Sequence, residues 1–211
     1  DIGCGKGEAL IRLGERYGAS GVGLDVNPEF LKIAEREAIR RFPSNKIAFQ
    51  LTEATSFSAP PDAYSAAICL GSTHAYGSFR SALESLSRLV RPAGGILIGE
   101  GYWRREPDPG YQHLLGAERD ELNDHAGNIA QGVAIGLTPL MNRESSLAEW
   151  DAYEALYAQT VEEYLEANPD DPDAAELRDR VRSWRDGYLR WGRGTLGFAT
   201  YLFRKPIQPA P

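Results

Sequence analysis

The residues best suited to chemistry stand at the very start of the chain. Asp1-Ile2-Gly3-Cys4-Gly5-Lys6-Gly7-Glu8 alternates glycine with other residues and passes at once into a helical pattern at Ala9, Leu10 and Leu13. Glycine has no Cβ, so such a stretch turns sharply and lets a ligand come close to the main chain. A turn of this kind feeding a helix N-terminus offers free N–H groups to a polar ligand. About one helix later, Gly21-Val22-Gly23-Leu24-Asp25 is a short apolar run that ends in an acid. In doubly wound folds an acid at that position takes the ribose hydroxyls of a nucleotide-type ligand. Glycine turn, helix, strand and acid together are a stronger signal than a lone glycine motif.

A dinucleotide fingerprint would place a third Gly or Ala where this chain has Glu8. A bulky anion there suits a pyrophosphate poorly. With Gly3, Gly5 and Gly7 in a GxGxG pattern behind Asp1, and Asp25 ending the next strand, the sequence resembles the class I S-adenosylmethionine-dependent methyltransferases. The resemblance covers Asp1 to Tyr102 in motif detail and the last strand loosely. It implies a doubly wound α/β fold with a mostly parallel sheet, an antiparallel hairpin at the C-terminal end, and S-adenosyl-L-methionine as cofactor, with S-adenosyl-L-homocysteine as product.

The elements that must position these residues follow a β/α rhythm. Helices are expected from Glu8 to Tyr17, closed by Gly18, and from Asn27-Pro28-Glu29 to about Arg41, where Asn caps and Pro takes the first helical position. Strands are expected at Ser20–Asp25, Lys46–Leu51, Ala63–Leu70 and Ile96–Tyr102. Between the last two, Ser78 to Val90 carries one apolar face (Phe79, Ala82, Leu83, Leu86), and Arg91 to Gly95 should turn the chain. From Trp103 the rhythm breaks. A polar, Pro- and Gly-rich stretch holds a short helix at Leu114–Leu122, and Val133, Ile135 and Leu137 suggest a strand within Gln131–Met141. Ser146-Leu147-Ala148-Glu149 is a capping box for a helix to about Ala167, and Asp171-Pro172 begins another to about Trp191. Phe198–Phe203 closes the sheet, before a Pro-rich tail expected to fray. Residues 1–102 thus form a cofactor-binding part, and 103–211 complete the same domain with a helical insertion, 146–191, that shapes the acceptor pocket. The chain opens where a strand should be ending, so the first, central strand of such a sheet is expected to lie upstream of Asp1.

Composition narrows the function. At 211 residues, 42% hydrophobic and 25% charged, the chain is an ordinary globular protein. A net charge of −7 argues against a nucleic-acid backbone or an anionic membrane as partner. No run approaches the roughly 20 apolar residues that span a bilayer. Cys4 and Cys69 have no metal-like or redox-like spacing; they read as small apolar fillers in a reducing, cytoplasmic setting. Three histidines without metal-ligand spacing make no metal site. Asp170, Asp171 and Asp173 read as a polar turn with helix-start acids.

In open α/β sheets the ligand lies beyond the carboxyl ends of the strands. The resemblance therefore implies that Gly3, Gly5 and Gly7 frame the methionine part of the cofactor, that Asp1 helps hold its amino group, and that Asp25 takes the ribose diol. Glu53 would approach the adenine amine, although a solvated strand-end acid explains it equally well. Ala54 and Leu70, at neighbouring strand ends, complete the cofactor set. Methyl transfer is an in-line displacement that needs proximity and orientation rather than a metal. An amine or hydroxyl acceptor would need a base, for which His74 is the candidate, past the end of the fourth strand; a polar loop residue is the alternative. Tyr76, Glu100 and Trp103 are candidates for the substrate pocket. The Tyr and Trp stripes at Trp150–Tyr164 and Trp184–Trp191 either dock their helices or form an aromatic lid over a planar or cationic substrate. The reading is methyl transfer to a small-molecule nucleophile. Its rivals are an NAD(P)-dependent oxidoreductase and a non-catalytic S-adenosylmethionine-binding module.

Overall fold

A computed structural model describes residues 1–43 and 46–207. The Pro-rich end expected to fray extends past the described residues. Seven helices and six strands are assigned among them: α1 (Glu8–Tyr17), β1 (Gly21–Asp25), α2 (Pro28–Arg41), β2 (Ile47–Leu51), β3 (Tyr64–Leu70), α3 (Phe79–Leu89), β4 (Val90–Trp103), α4 (Pro109–Leu115), α5 (His125–Ala134), β5 (Thr138–Glu144), α6 (Leu147–Ala167), α7 (Ala174–Arg190) and β6 (Leu196–Arg204).

The sheet is built in two runs. β1 pairs parallel with β2, and the order β3-β4-β6-β5 follows, with β3 and β4 parallel. Ile2 joins the runs by parallel bridges to Leu24 on one side and Cys69 on the other. β6 returns antiparallel to β4: the Ala93 N–H donates to the Lys205 carbonyl, and far along the strands the Arg104 N–H donates to Thr195. β5 and β6 are antiparallel as well, since the Ser145 N–H meets the Phe198 carbonyl while the Thr200 hydroxyl reaches the Arg143 carbonyl. The mostly parallel sheet with an antiparallel C-terminal pair is the fold class expected.

Local signals fixed most helix ends. Asn27 accepts the N–H groups of Glu29 and Phe30, with Pro28 behind it. Ser146 and Glu149 form the reciprocal capping box, and Gly18 ends α1 in the left-handed conformation. Three expectations are corrected. Val133 lies on α5, and Ile135 and Leu137 follow it in a turn; the strand begins only at Thr138. The alternating apolar residues imitate a strand, but Gly136 at φ 85° ends the helix instead, closed by the Gly136 N–H on the Val133 carbonyl. Arg91–Gly95 does not turn the chain out of the sheet. It is the irregular start of β4, with Ala93 at φ 64° and the backbone of 93–94 hydrogen-bonded to Lys205. The short helix expected at Leu114–Leu122 lies earlier, because Asp108 caps Pro109–Leu115 and Gly116 stops it.

The chain divides into two compact units. The first comprises Asp1–Glu100, Asn128–Arg143 and the chain from Thr200 on; the second comprises Gly101–Gly127 and Glu144–Ala199. The first has its core between α1, α3 and the sheet, where Ile11, Leu83, Leu86, Ile96, Ile98 and Phe203 are fully buried. Phe79 meets Tyr201 edge-on at 5.6 Å, and the buried Asn128 amide donates to the Tyr201 hydroxyl at 3.2 Å. The second unit packs Trp103, Tyr111, Val181 and Tyr188 inside.

The packing of α5 yields a test. A Cβ built on Gly132 would lie 2.3 Å from the buried Phe203 ring. Helix propensity alone favours Gly132→Ala by about 1 kcal/mol, whereas overpacking costs about 1–3 kcal/mol. We expect a net loss of about 1 kcal/mol or more in urea unfolding; a stabilised variant would contradict the docking of α5.

Candidate active site

The glycine turn is stitched into the sheet on both sides. The Ile2 N–H donates to the Ile68 carbonyl, the Leu24 N–H to Asp1, and the Cys4 N–H to Leu24, each at 2.8 Å. Between these fixed points Gly3, Gly5 and Gly7 all adopt left-handed φ angles of 64°, 54° and 77°. Their surroundings differ. A Cβ on Gly3 would fall 2.1 Å from the Ser72 Oγ and one on Gly7 2.7 Å from the Phe49 ring, whereas one on Gly5 meets nothing within 4 Å. Gly3 and Gly7 are therefore small because the protein packs against them, while Gly5 faces open space. Gly7 is also the N-cap of α1, with no side chain capping the helix.

Asp25 holds the turn from the next strand. Its Oδ2 accepts the Gly5 N–H and its Oδ1 the Asn27 N–H, both at 2.8 Å. An ionised carboxylate has about four acceptor positions, so two bonds leave each oxygen able to take a hydroxyl. Glu53 is exposed at the end of β2, just before a 3-10 turn at Ala54–Ser56 whose Ala54 is buried. Leu70 ends β3, 37% exposed. A second 3-10 turn, Thr73–Tyr76, follows and carries His74 on its exposed side. Ser72, against Gly3, ties this turn to the glycine loop.

The structure thus brings Asp1, Gly3, Gly5, Gly7, Asp25, Glu53, Ala54, Leu70 and His74 to the carboxyl ends of β1, β2 and β3 in the first unit. The three pocket candidates fare differently. Glu100, half-buried on β4, accepts a hydrogen bond from the buried Thr73 hydroxyl and so braces the His74 turn. Tyr76 is half-buried and lines an open cleft of about 350 Å³ with Ala54, Phe57 and Arg88; burial raises its hydroxyl pKa. Trp103 belongs to the second unit. It is 2% exposed, its indole N–H donates to the Arg119 carbonyl, and its ring meets Tyr111 edge-on, so it is a packing residue there. Sequence reading gave no separate role to Ser72 and Thr73; a polar pair in a loop shows nothing of the partners it finds.

Both cysteines are free thiols. Burial, then the Asp25 charge, pushes Cys4 up to about 11, and burial pushes Cys69 up to about 12; a thiol is nucleophilic only when deprotonated. Glu8, at the first turn of α1, is held below the usual carboxylate range by Arg41 and Arg12. A cavity of about 130 Å³ is lined by Asp1, Leu10, Gly21–Val22, Leu24 and Ser65–Ile68. Among the described residues no cluster of His, Cys, Asp and Glu fits a metal ion, and no helix is long and apolar enough to cross a membrane.

A glycine turn with one open face, beside a carboxylate at the end of the adjacent strand, is the arrangement that doubly wound α/β folds offer to nucleotide-type ligands. The profile of the methyltransferase-domain family matches residues 1–94. The protein YjhP of Escherichia coli strain K12 is 30% identical over 213 residues, covering 95% of this chain and 82% of that protein. A methyltransferase of Geobacter sulfurreducens, solved with S-adenosyl-L-homocysteine, superimposes with a TM-score of 0.88 at 29% identity, over 96% of this chain and 82% of the other. One from Thiobacillus denitrificans, also solved with that product, gives 0.86 at 25% identity over 96% and 82%. The chain belongs to the S-adenosylmethionine-dependent methyltransferases. Its cofactor is S-adenosyl-L-methionine.

The glycines separate by role. Gly5→Ala is expected to cost about 1–2 kcal/mol, the strain of a left-handed backbone alone. Gly7→Ala adds the collision with Phe49 and should cost clearly more. Chemical denaturation of the two variants checks the ranking; equal losses would contradict it.

Proposed function

We propose that the protein methylates a small-molecule nucleophile, with Gly3–Gly7 and Asp25 holding the cofactor and His74 serving as the base. The observation that carries the reading is the Asp25 carboxylate, bonded to the N–H of Gly5, the glycine of the turn whose face is open. When bound, S-adenosyl-L-methionine supplies a methyl group already activated by a sulfonium leaving group. The residues of the chain hold and orient. Gly5 lets the main chain approach the methionine part. Asp25, with acceptor capacity left on both oxygens, takes the ribose hydroxyls. Asp1 is assigned to the amino group, Glu53 to the adenine amine, and Ala54 and Leu70 to apolar contacts with the adenosine.

His74 stands exposed on its turn; its carbonyl accepts the Gly77 N–H, while its imidazole has no hydrogen-bond partner among the described residues. Its imidazole is thus available to take a proton from an amine or hydroxyl acceptor, and Glu100 acts through Thr73 by holding the turn in place. A net charge of −7 favours a small acceptor over nucleic acid. Two free cysteines with raised pKa suit a reducing, cytoplasmic setting. The helical insertion 146–191 is assigned to acceptor selection.

The two central assignments separate experimentally. Asp25→Ala should weaken S-adenosyl-L-homocysteine binding by about 10- to 100-fold in calorimetry, the worth of hydrogen bonds to a charged group. His74→Ala should bind the product as the wild type does, yet transfer the methyl group about 10²- to 10⁴-fold more slowly. Unchanged affinity in the first variant would remove the ribose assignment, and unchanged turnover in the second would remove the base.

A further inference from the structure

The second unit contains a cavity that methyl-donor binding does not use. It measures about 150 Å³ and is lined by Tyr111, Trp150, Tyr153, Glu154, Trp184 and Tyr188. Leu114 and Leu196 complete its wall. The rings come from α4, α6 and α7, so the cavity exists only when those helices pack together. Tyr111 and Tyr188 are 3% and 5% exposed, whereas Tyr153 and Trp184 reach solvent at the rim.

Glu154 is the only charged side chain in this wall. It is 8% exposed, and its one hydrogen bond comes from the Trp184 indole N–H, to Oε2 at 2.9 Å. No cation is paired with it among the described residues. The guanidinium next in line, Arg193, is committed elsewhere: it makes two 2.8 Å bonds to Asp151, which also accepts the Tyr188 hydroxyl at 2.7 Å. Asp151, one turn before Glu154, is thus fully compensated while Glu154 is not. Burial accordingly raises the Glu154 carboxyl above its ordinary range. The same wall holds a second unmet need, for the Trp150 indole N–H is buried without an acceptor.

A buried carboxylate without a counter-charge is costly, and aromatic walls attract cations. The geometry points to this cavity as a binding site for an organic ammonium ion, with Glu154 as its counter-charge and the surrounding rings as its walls. The size agrees, since an apolar cavity of about 150 Å³ takes a ligand as large as benzene, and a methylated ammonium head is of that order. A metal ion is a poor occupant, as one carboxylate among aromatic rings offers too few oxygen ligands for a hard cation. The assignment concerns the second unit by itself and does not depend on which molecule receives the methyl group or on how the cofactor is held.

Choline and its neutral isostere 3,3-dimethyl-1-butanol provide the test, titrated into the full chain and followed by tryptophan fluorescence. Choline should give a saturable change, and the isostere should bind about tenfold more weakly or worse, since one desolvated cation–π or ion-pair contact is worth that much. Glu154→Gln should lose about tenfold in choline affinity while binding S-adenosyl-L-homocysteine as the wild type does. Equal binding of the two compounds, no saturable choline response, or unchanged choline affinity in a folded Glu154→Gln protein would overturn the proposal. The comparison of the two compounds on the wild type decides the matter even if the variant fails to fold.

Discussion

The candidate site of the first unit turns on one hydrogen bond, from the Gly5 main-chain N–H to the Asp25 carboxylate. It joins a turn that precedes the first helix to the end of the strand that follows it. Two constraints make the bond attainable. The residues before the turn are locked between β1 and β3 through Ile2, and the turn itself runs through three left-handed glycines. A side chain at Gly3 or Gly7 would displace Ser72 or Phe49, and the turn would move off the carboxylate. The reward is a site in which a carboxylate oriented by two main-chain donors stands beside exposed backbone.

Acids in the two units are compensated in different ways. Glu100 in the first unit is half-buried and accepts the Thr73 hydroxyl, which fixes the turn carrying His74. In the second unit, Asp151 is held by Arg193 and Tyr188, down to about 2. Glu154, one helical turn away, receives only the Trp184 indole. Residues of the same charge on the same helix face thus end in opposite electrostatic states. The difference arises from which neighbours α7 and the following turn bring to each, something helix periodicity does not encode.

Much of the fold could be read from local chemistry. The glycine turn, the Asn27-Pro28 helix start, the Ser146 capping box and the Gly18 stop each act over a few residues, so sequence alone exposes them. The C-terminal hairpin was harder. Val133, Ile135 and Leu137 alternate as a strand would, but α5 continues through Val133 because Gly132 lets the helix lie against Phe203, a contact with a residue far along the chain. Trp103 looked like a pocket residue from its place at a strand end; its burial and its bond to the Arg119 carbonyl are non-local. Glu154 gave no sign in the sequence, since an acid on a helix already rich in Glu reads as solvated surface. Only the packing of α6 with α7 buries it.

The central claim is that an adenosyl ligand rests on the open face of the glycine turn within reach of Asp25. The most direct measurement is an amide-resolved NMR titration of the ¹⁵N-labelled protein with S-adenosyl-L-homocysteine. The account predicts that the large shifts fall at Gly3–Gly7, Asp25–Asn27, Glu53–Ala54 and Gly71–Tyr76. Saturable binding that leaves those amides unmoved and shifts another region would contradict it.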